Sequence, residues 1–416
     1  MSSREGGRAR PSAVATTVAR SPAGLHGKRN TPLHVWHDVA NACPNHRVVV
    51  DTIMGGYSGG RVALAQLLLS FYNLLPSACV RTLDPESVNR HAGASPSTMA
   101  AKGLLSLSDE VNRTSSLHAG SHTHKAISPR LESEYRQLRH IPLLHASRLR
   151  AGDILILPEL YDCPASLVKR GVRTFIYLLA IRGDNERRQS LGCGLLAHNW
   201  YLSTAAGLRV TAGAPLPHWR VVRPYVARET LDFCSRHAAA ARNGSLVLID
   251  DDSSSTLVGE VTRYCQEHSC KAVVAQRLSP DELRRLFAQA KLVIDECMVG
   301  SERMPIEATL CGAVLLTGEC QCGRDRRDFP IPARNVLKSL PMAPRAAAAS
   351  GEESLRHAMT RILGAYERER ADYAAMRRLY FGLGAQSMKE EARRFLEKES
   401  SGSGGAGRSL GRRAVE

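Results

Sequence analysis

The residues with the clearest chemical potential are Gly300, Ser301, Glu302, Arg303 and Glu307, in the run GSERMPIEATLCG at 300–312. An apolar strand at 291–295 (KLVID) precedes them, and Pro305 suits the first turn of a helix, where its missing N–H costs nothing. Gly312 is a natural residue past that helix's end, and a second apolar strand follows at 313–317. The polar loop therefore lies at the carboxyl end of a strand, where open α/β sheets bind ligands. The Glu307 carboxylate can accept from two vicinal hydroxyls of a ribose, or simply complement the helix dipole. Arg303 and the helix N-terminal N–H groups can hold a diphosphate; alternatively Arg303 pairs with Glu302.

Three further groups bear on that loop. The run IMGGYSGG at 53–60 places Gly55, Gly56, Gly59 and Gly60 between a β-branched strand (47–52, RVVVDT) and a helical stretch at 61–75. Its backbone N–H groups can approach an anion at the helix N-terminus, though it is neither a Walker loop nor a strict G-x-G-x-x-G. Glu159 ends the strand DILILPE and is a candidate for binding the acceptor or acting as base. Asp250 and Asp252 follow the strand SLVLI, as a turn or cap of the next helix or as a metal-binding acidic pair.

Short apolar strands alternate with helical segments along the chain, which predicts parallel, doubly wound sheets. Strands are expected at 47–52, 78–83, 153–157 and 172–179, with further apolar pieces at 194–203, 208–211 and 219–226 and a helix at 161–170. A helix near 228–241 leads to a second series: strand 245–249, helix 257–268, strand 272–276, and a helix started by Ser279-Pro280-Asp281-Glu282. The division is a disordered basic segment at 1–45, an N-terminal domain at 46–227 with a low-complexity insertion at 85–130, a C-terminal domain at 228–340, helices at 350–400 and a flexible tail at 401–416. His118, His122 and His124 fall in the insertion and read as solvated rather than metal-bound.

At 416 residues the chain can bury two cores, and 43% hydrophobic with 23% charged residues is ordinary for a globular protein. No apolar run is long enough to cross a membrane. The net charge of +16 is dispersed, and aromatics are only 5%, so nucleic acid is not the expected partner. Arg4, Arg8, Arg10, Arg20, Lys28 and Arg29 stand against one acid, Glu5, at the N-terminus without an apolar core, which reads as a basic tail or an organellar transit-like segment. The 11 cysteines form no C-x-x-C pair; Cys265, Cys297 and Cys311 in apolar contexts read as reduced thiols of a cytoplasmic protein, and Cys320-x-Cys322 lacks partner ligands for a metal.

The motif Gly300-x-x-Arg303-x-Pro305-x-Glu307-Ala308 with Gly312, then Thr317-Gly318 and Asp328-Phe329-Pro330-Ile331-Pro332, resembles the donor-binding segment of GT-B glycosyltransferases. The specific likeness runs from 279 to 332; DILILPE and Arg223-Pro224-Tyr225-Val226 match more loosely. The resemblance implies two Rossmann-like domains facing a cleft. A nucleotide-diphosphate sugar would bind the second, as a co-substrate with no other cofactor and no metal. An acceptor (glycan, lipid or protein) would bind the first. It also implies that Glu307 contacts the donor ribose and that Gly55–Gly60 lie near the donor phosphates. Val299 occupies the position of an earlier Glu carried by retaining members, so Glu302 stands as its substitute. Asp250-Asp251-Asp252 replaces a basic pair of the family. The expected function is glycosyl transfer, with a catalytically degenerate GT-B-like binding protein as one alternative and a metal-dependent GT-A-type enzyme using Asp250 and Asp252 as another.

Overall fold

The apolar runs become strands buried on both faces. The computed structural model describes residues 47–52, 59–83, 136–180, 185–204, 216–298 apart from 241, 243 and 277, 300–338 apart from 301 and 320, 340, and 354–402. The segments expected at 1–45 and 85–130 and the piece at 208–211 lie outside these residues, as does the tail beyond 402.

The first sheet contains β1 (Val48–Val50), β2 (Val80–Leu83), β3 (Leu143–Leu144), β4 (Ile154–Pro158), β5 (Arg173–Leu178) and β6 (Gly194–Ala197), in the order β3-β2-β1-β4-β5-β6. Every pairing is parallel. Side chains alternate between two cores. Val48, Val50, Ile154, Ile156, Phe175 and Tyr177 enter one, while Val49, Leu155, Leu157, Ile176 and Leu178 enter the other. With both faces covered, most residues of each strand are apolar whichever way they point, which is why these strands read as near-continuous runs. Helix α1 (Gly59–Tyr72) covers the first face; α2 (Ala165–Lys169) and α3 (Asn185–Ser190) connect the later strands, and α4 (Trp200–Ser203) follows β6. The helix expected at 161–170 begins only after Pro164, which is its N-cap. The piece at 219–226 is no strand: Val221 makes one bridge to Ala197, and Pro217 and Pro224 remove donors that a ladder would need.

Helix α5 (Arg228–His237) leads into the second sheet: β7 (Leu246–Ile249), α6 (Ser255–Glu267), β8 (Lys271–Val274), α7 (Pro280–Gln289), β9 (Ala290–Asp295), α8 (Arg303–Leu310), β10 (Val314–Gly318) and β11 (Val336–Leu337). Its order is β11-β10-β9-β7-β8, again all parallel. Ser279 and Glu282 close a capping box at the start of α7, with Pro280 in its first turn. Gly312 sits at φ +105°, the left-handed region that ends α8 without strain. Two doubly wound parallel sheets with C-terminal helices are the fold class expected.

The C-terminal helices divide between the sheets. Helices α9 (Leu355–Gly364), α10 (Tyr366–Ala371) and α11 (Ala374–Gly382) join the second core, where the Tyr366 hydroxyl donates to the Gly312 carbonyl at 2.8 Å. Helix α12 (Ala385–Gly402) returns to the first core: Phe395 meets Phe175 edge-on at 5.0 Å and Phe71 at 6.3 Å. Glu391 accepts from the Arg223 guanidinium at 2.8 Å and from its backbone N–H at 2.7 Å.

The cysteines correct the reduced-thiol expectation. Cys163 bonds to Cys193, Cys234 to Cys311 and Cys265 to Cys270; Cys79 and Cys297 are also disulfide-bonded. Cys322 is buried and not disulfide-bonded. Apolar context misled here because a disulfide is itself a buried apolar group, and pairing across 30 or 77 residues leaves no spacing signal.

Replacing Phe395 with Ala is expected to cost about 3–5 kcal/mol in denaturant unfolding, because it empties the seam between α12, α1 and β5.

Candidate functional site

The carboxyl edges of the two sheets meet. On the first sheet, β4 delivers Glu159, which is 4% exposed, and its carboxylate accepts the Leu179 N–H at 3.2 Å. Its backbone carbonyl accepts from Arg188. The Leu179 carbonyl, past the end of β5, lies against Gly300 so closely that any Cβ there would collide with it; the same Cβ would stand 3.1 Å from the His198 ring. Glycine is required at 300 by this close approach. His198 is wholly buried after β6, and burial pushes its pKa down to about 3, so the ring is neutral at physiological pH. Asp51, after β1, is also buried and bonds the Tyr161 phenol, whose pKa is raised by burial first and by this carboxylate second.

Two more contacts bind the edges. Asn199 caps α4 by accepting the Leu202 N–H at 2.8 Å, and its amide reaches the Cys322 sulfur at 3.4 Å. Asp328, after β10, accepts the Trp200 and Tyr201 N–H groups at 3.0 and 2.7 Å. One helix N-terminus is thus satisfied by its own cap and by a carboxylate from the other sheet. Burial pushes the Asp328 carboxyl up to about 6, against the lowering effect of those two N–H groups.

On the second sheet the loop after β9 is tied from both sides. Glu296 accepts from Ser254, at 2.6 Å from its N–H and 3.1 Å from its hydroxyl, and Ser254 caps α6. The cap expected from Asp250-Asp251-Asp252 is therefore Ser254. The aspartates instead form the preceding turn, in which the Asp251 N–H donates to the Asp250 carboxylate at 2.8 Å. Glu302 is the N-cap residue of α8 but makes no side-chain cap; it folds back to accept the Gly300 N–H at 3.1 Å.

Arg303 and Glu307, read from sequence as two separate ligand groups, are joined. The guanidinium donates to Glu307 Oε1 at 2.9 and 2.5 Å, with Glu307 6% exposed. Their i,i+4 spacing on a helix was the available signal, and it outweighs the adjacent Glu302 because neighbours in sequence do not share a helix face. The pair stands in the first turns of α8, where the dipole favours anions.

Of the glycine loop, Gly59 and Gly60 open α1, whereas Gly55 and Gly56 lie outside the described residues, as do Ser301 and Val299. The structure brings Glu159, Gly300, Glu302, Arg303 and Glu307 to the meeting edges. Sequence reading missed His198, Asn199 and Asp295, and gave Asp328 only as part of a motif; His198 and Asp295 each stand at the end of an apolar strand, the same mark that singled out Glu159. Among the described residues no group of three or more His, Cys, Asp or Glu could hold a metal ion, so Asp250 and Asp252 gather no third ligand there.

No protein-family model matches this chain, and no curated protein matches it in sequence. In structure it is similar to a glycosyltransferase from Rickettsia africae ESF-5, at 10% identity and a TM-score of 0.44 over 85% of this chain and 98% of that one. It is also similar to the wall teichoic acid polymerase TagF, at 10% identity and a TM-score of 0.35 over 88% of this chain and 93% of that one.

Gly300→Ala is expected to lower stability by about 1–3 kcal/mol, through forced separation of the two carboxyl edges. Thermal unfolding beside a Gly364→Ala control, a glycine with open space around it, checks this.

Proposed function

We propose that the protein binds a nucleotide-diphosphate sugar at the carboxyl edge of its second sheet and transfers the sugar to an acceptor held by the first, as GT-B enzymes do. The observation that carries this reading is the Arg303–Glu307 pair at the start of α8, with Glu307 buried and Arg303 partly exposed, beside the loop that abuts the first sheet. An arginine fixed by one carboxylate oxygen keeps its fork oriented, and the other oxygen of Glu307 can accept from ribose hydroxyls. Charge that builds on the leaving diphosphate would meet Arg303 and the α8 N-terminal N–H groups. Support comes from the position of this loop at the carboxyl end of a strand, since open parallel sheets commonly take ligands there.

A second reading, donor binding without transfer, rests on the two candidate catalytic acids. Glu302 is engaged with its own loop and Glu159 is buried against the Leu179 N–H. Neither carboxylate stands in a setting that obviously serves a reacting atom.

The disulfides support an oxidising compartment as the site of folding, since thiols in the cytosol are kept reduced. No helix among the described residues is long and apolar enough to cross a membrane.

Calorimetric titration with UDP-, GDP- and ADP-sugars tests the donor reading. One of them should bind, and Glu307→Gln should weaken it about tenfold or more while the unfolding midpoint is monitored. No binding to any donor would remove the proposal; binding without transfer or hydrolysis would select the second reading. For the compartment, alkylation of the protein isolated from its native source and denatured without prior reduction should leave Cys163, Cys193, Cys234, Cys265, Cys270 and Cys311 unlabelled in peptide mass spectra. Labelling of all six would refute it.

A further inference from the structure

Three strand ends form a row across the second sheet. Ile249 pairs with Ile294, and Thr317 pairs with Asp295, so Asp250, Asp295 and Thr317 stand side by side on β7, β9 and β10. The Asp250 N–H donates to the Ile294 carbonyl at 3.0 Å, which holds the first two in register. In-register residues of parallel strands point to the same face. Asp295 Oδ2 and Thr317 Oγ1 are both buried with no hydrogen-bond partner, on residues 1% and 0% exposed. Asp250 is the half-buried end of the row.

A buried polar atom without a partner costs free energy, and two in adjacent positions at a strand-end edge indicate a ligand atom that meets both. The charge pattern restricts that ligand. The charged groups acting on Asp295 are Asp250, Glu302 and Asp252; those acting on Asp250 are Asp252, Glu302 and Asp251. Thr317 faces the row from β10 and is neutral, and Arg303 is held by Glu307. A fully ionised row would repel a diphosphate, whereas a row carrying one proton offers a carboxyl O–H beside a threonine O–H, both donors.

Resting on the donor reading above, we propose that Asp250, Asp295 and Thr317 position the donor, with one carboxyl O–H of the Asp250–Asp295 pair and the Thr317 hydroxyl donating to a phosphate oxygen of the nucleotide-diphosphate sugar. These are positioning residues that take the place of basic side chains. Burial raises both carboxyls, Asp250 to about 7, with the neighbouring carboxylates adding to the rise. The pair titrates as a unit.

The sign follows from a pKa higher in the folded state than in the unfolded chain. Stability is greatest below the unfolded value and falls as pH rises toward neutrality, where the folded pair loses its proton. Thermal unfolding from pH 4 to 9 should show that slope in the wild type and a reduced one in Asp295→Asn and Asp250→Asn, since an amide carries no charge. Calorimetry with the bound nucleotide sugar should find affinity about tenfold lower at pH 8.5 than at pH 6 in the wild type, and nearly level in Asp295→Asn. Thr317→Val should bind several-fold more weakly with the pH profile unchanged. Unaltered stability slopes in both Asn variants, or wild-type donor affinity independent of pH, would overturn the proposal. Stability slopes as expected with no donor bound at any pH would instead bring down the donor reading, and with it the positioning role, leaving a proton-sharing pair without a ligand.

Discussion

Asp328 supplies the interaction on which the arrangement of the molecule depends. A helix start exposes N–H groups that need acceptors, and α4 finds two of them on a carboxylate from the other sheet. The bond fixes direction as well as distance, since the acceptor must sit on the axis of a helix that follows β6. Together with Asn199 against Cys322 and Gly300 against Leu179, it sets the two carboxyl edges against each other. Each contact is small. Their joint effect is to place residues from distant parts of the chain on a common surface.

Helix α12 makes that placement durable. Its apolar side completes the first core while α9 to α11 complete the second, so the chain that crossed ahead of α5 crosses back through the short connection between α11 and α12. The Arg223–Glu391 pair, partly buried and bonded through both side chain and backbone, reinforces the return. Separating the sheets would therefore expose Phe71, Phe175 and Phe395 or break the chain's C-terminal packing. The edges are held by the whole fold rather than by the contacts between them alone.

The electrostatics of the site are mixed. Arg303 and the α8 N-terminus are attractive, whereas Asp250, Asp252, Asp295 and Glu302 are repulsive while ionised. Burial resolves part of the conflict by favouring the neutral carboxyl at the row of strand ends. The same principle keeps His198 neutral, with the opposite direction of shift because its charged form is the protonated one.

Local rules were enough for the elements. Buried parallel strands are apolar along most of their length, so LVLI, KLVID and RTFIYL announced themselves, and Ser279-Pro280-Asp281-Glu282 and Cys311-Gly312 marked the ends of helices through capping chemistry confined to a few residues. The polar loop at 296–307 and Glu159 were legible for the same reason: each ends such a strand. Only the tertiary structure decided which groups serve the site and which serve the fold. Disulfides join residues with no common spacing, Asp328 completes a helix in the other half, and Glu302 turns back on Gly300 rather than capping α8. Asp295 and Thr317 look like ordinary strand ends until sheet order makes them neighbours. Hydrogen-bond partners and burial depend on positions distant in sequence, and no local pattern encodes them.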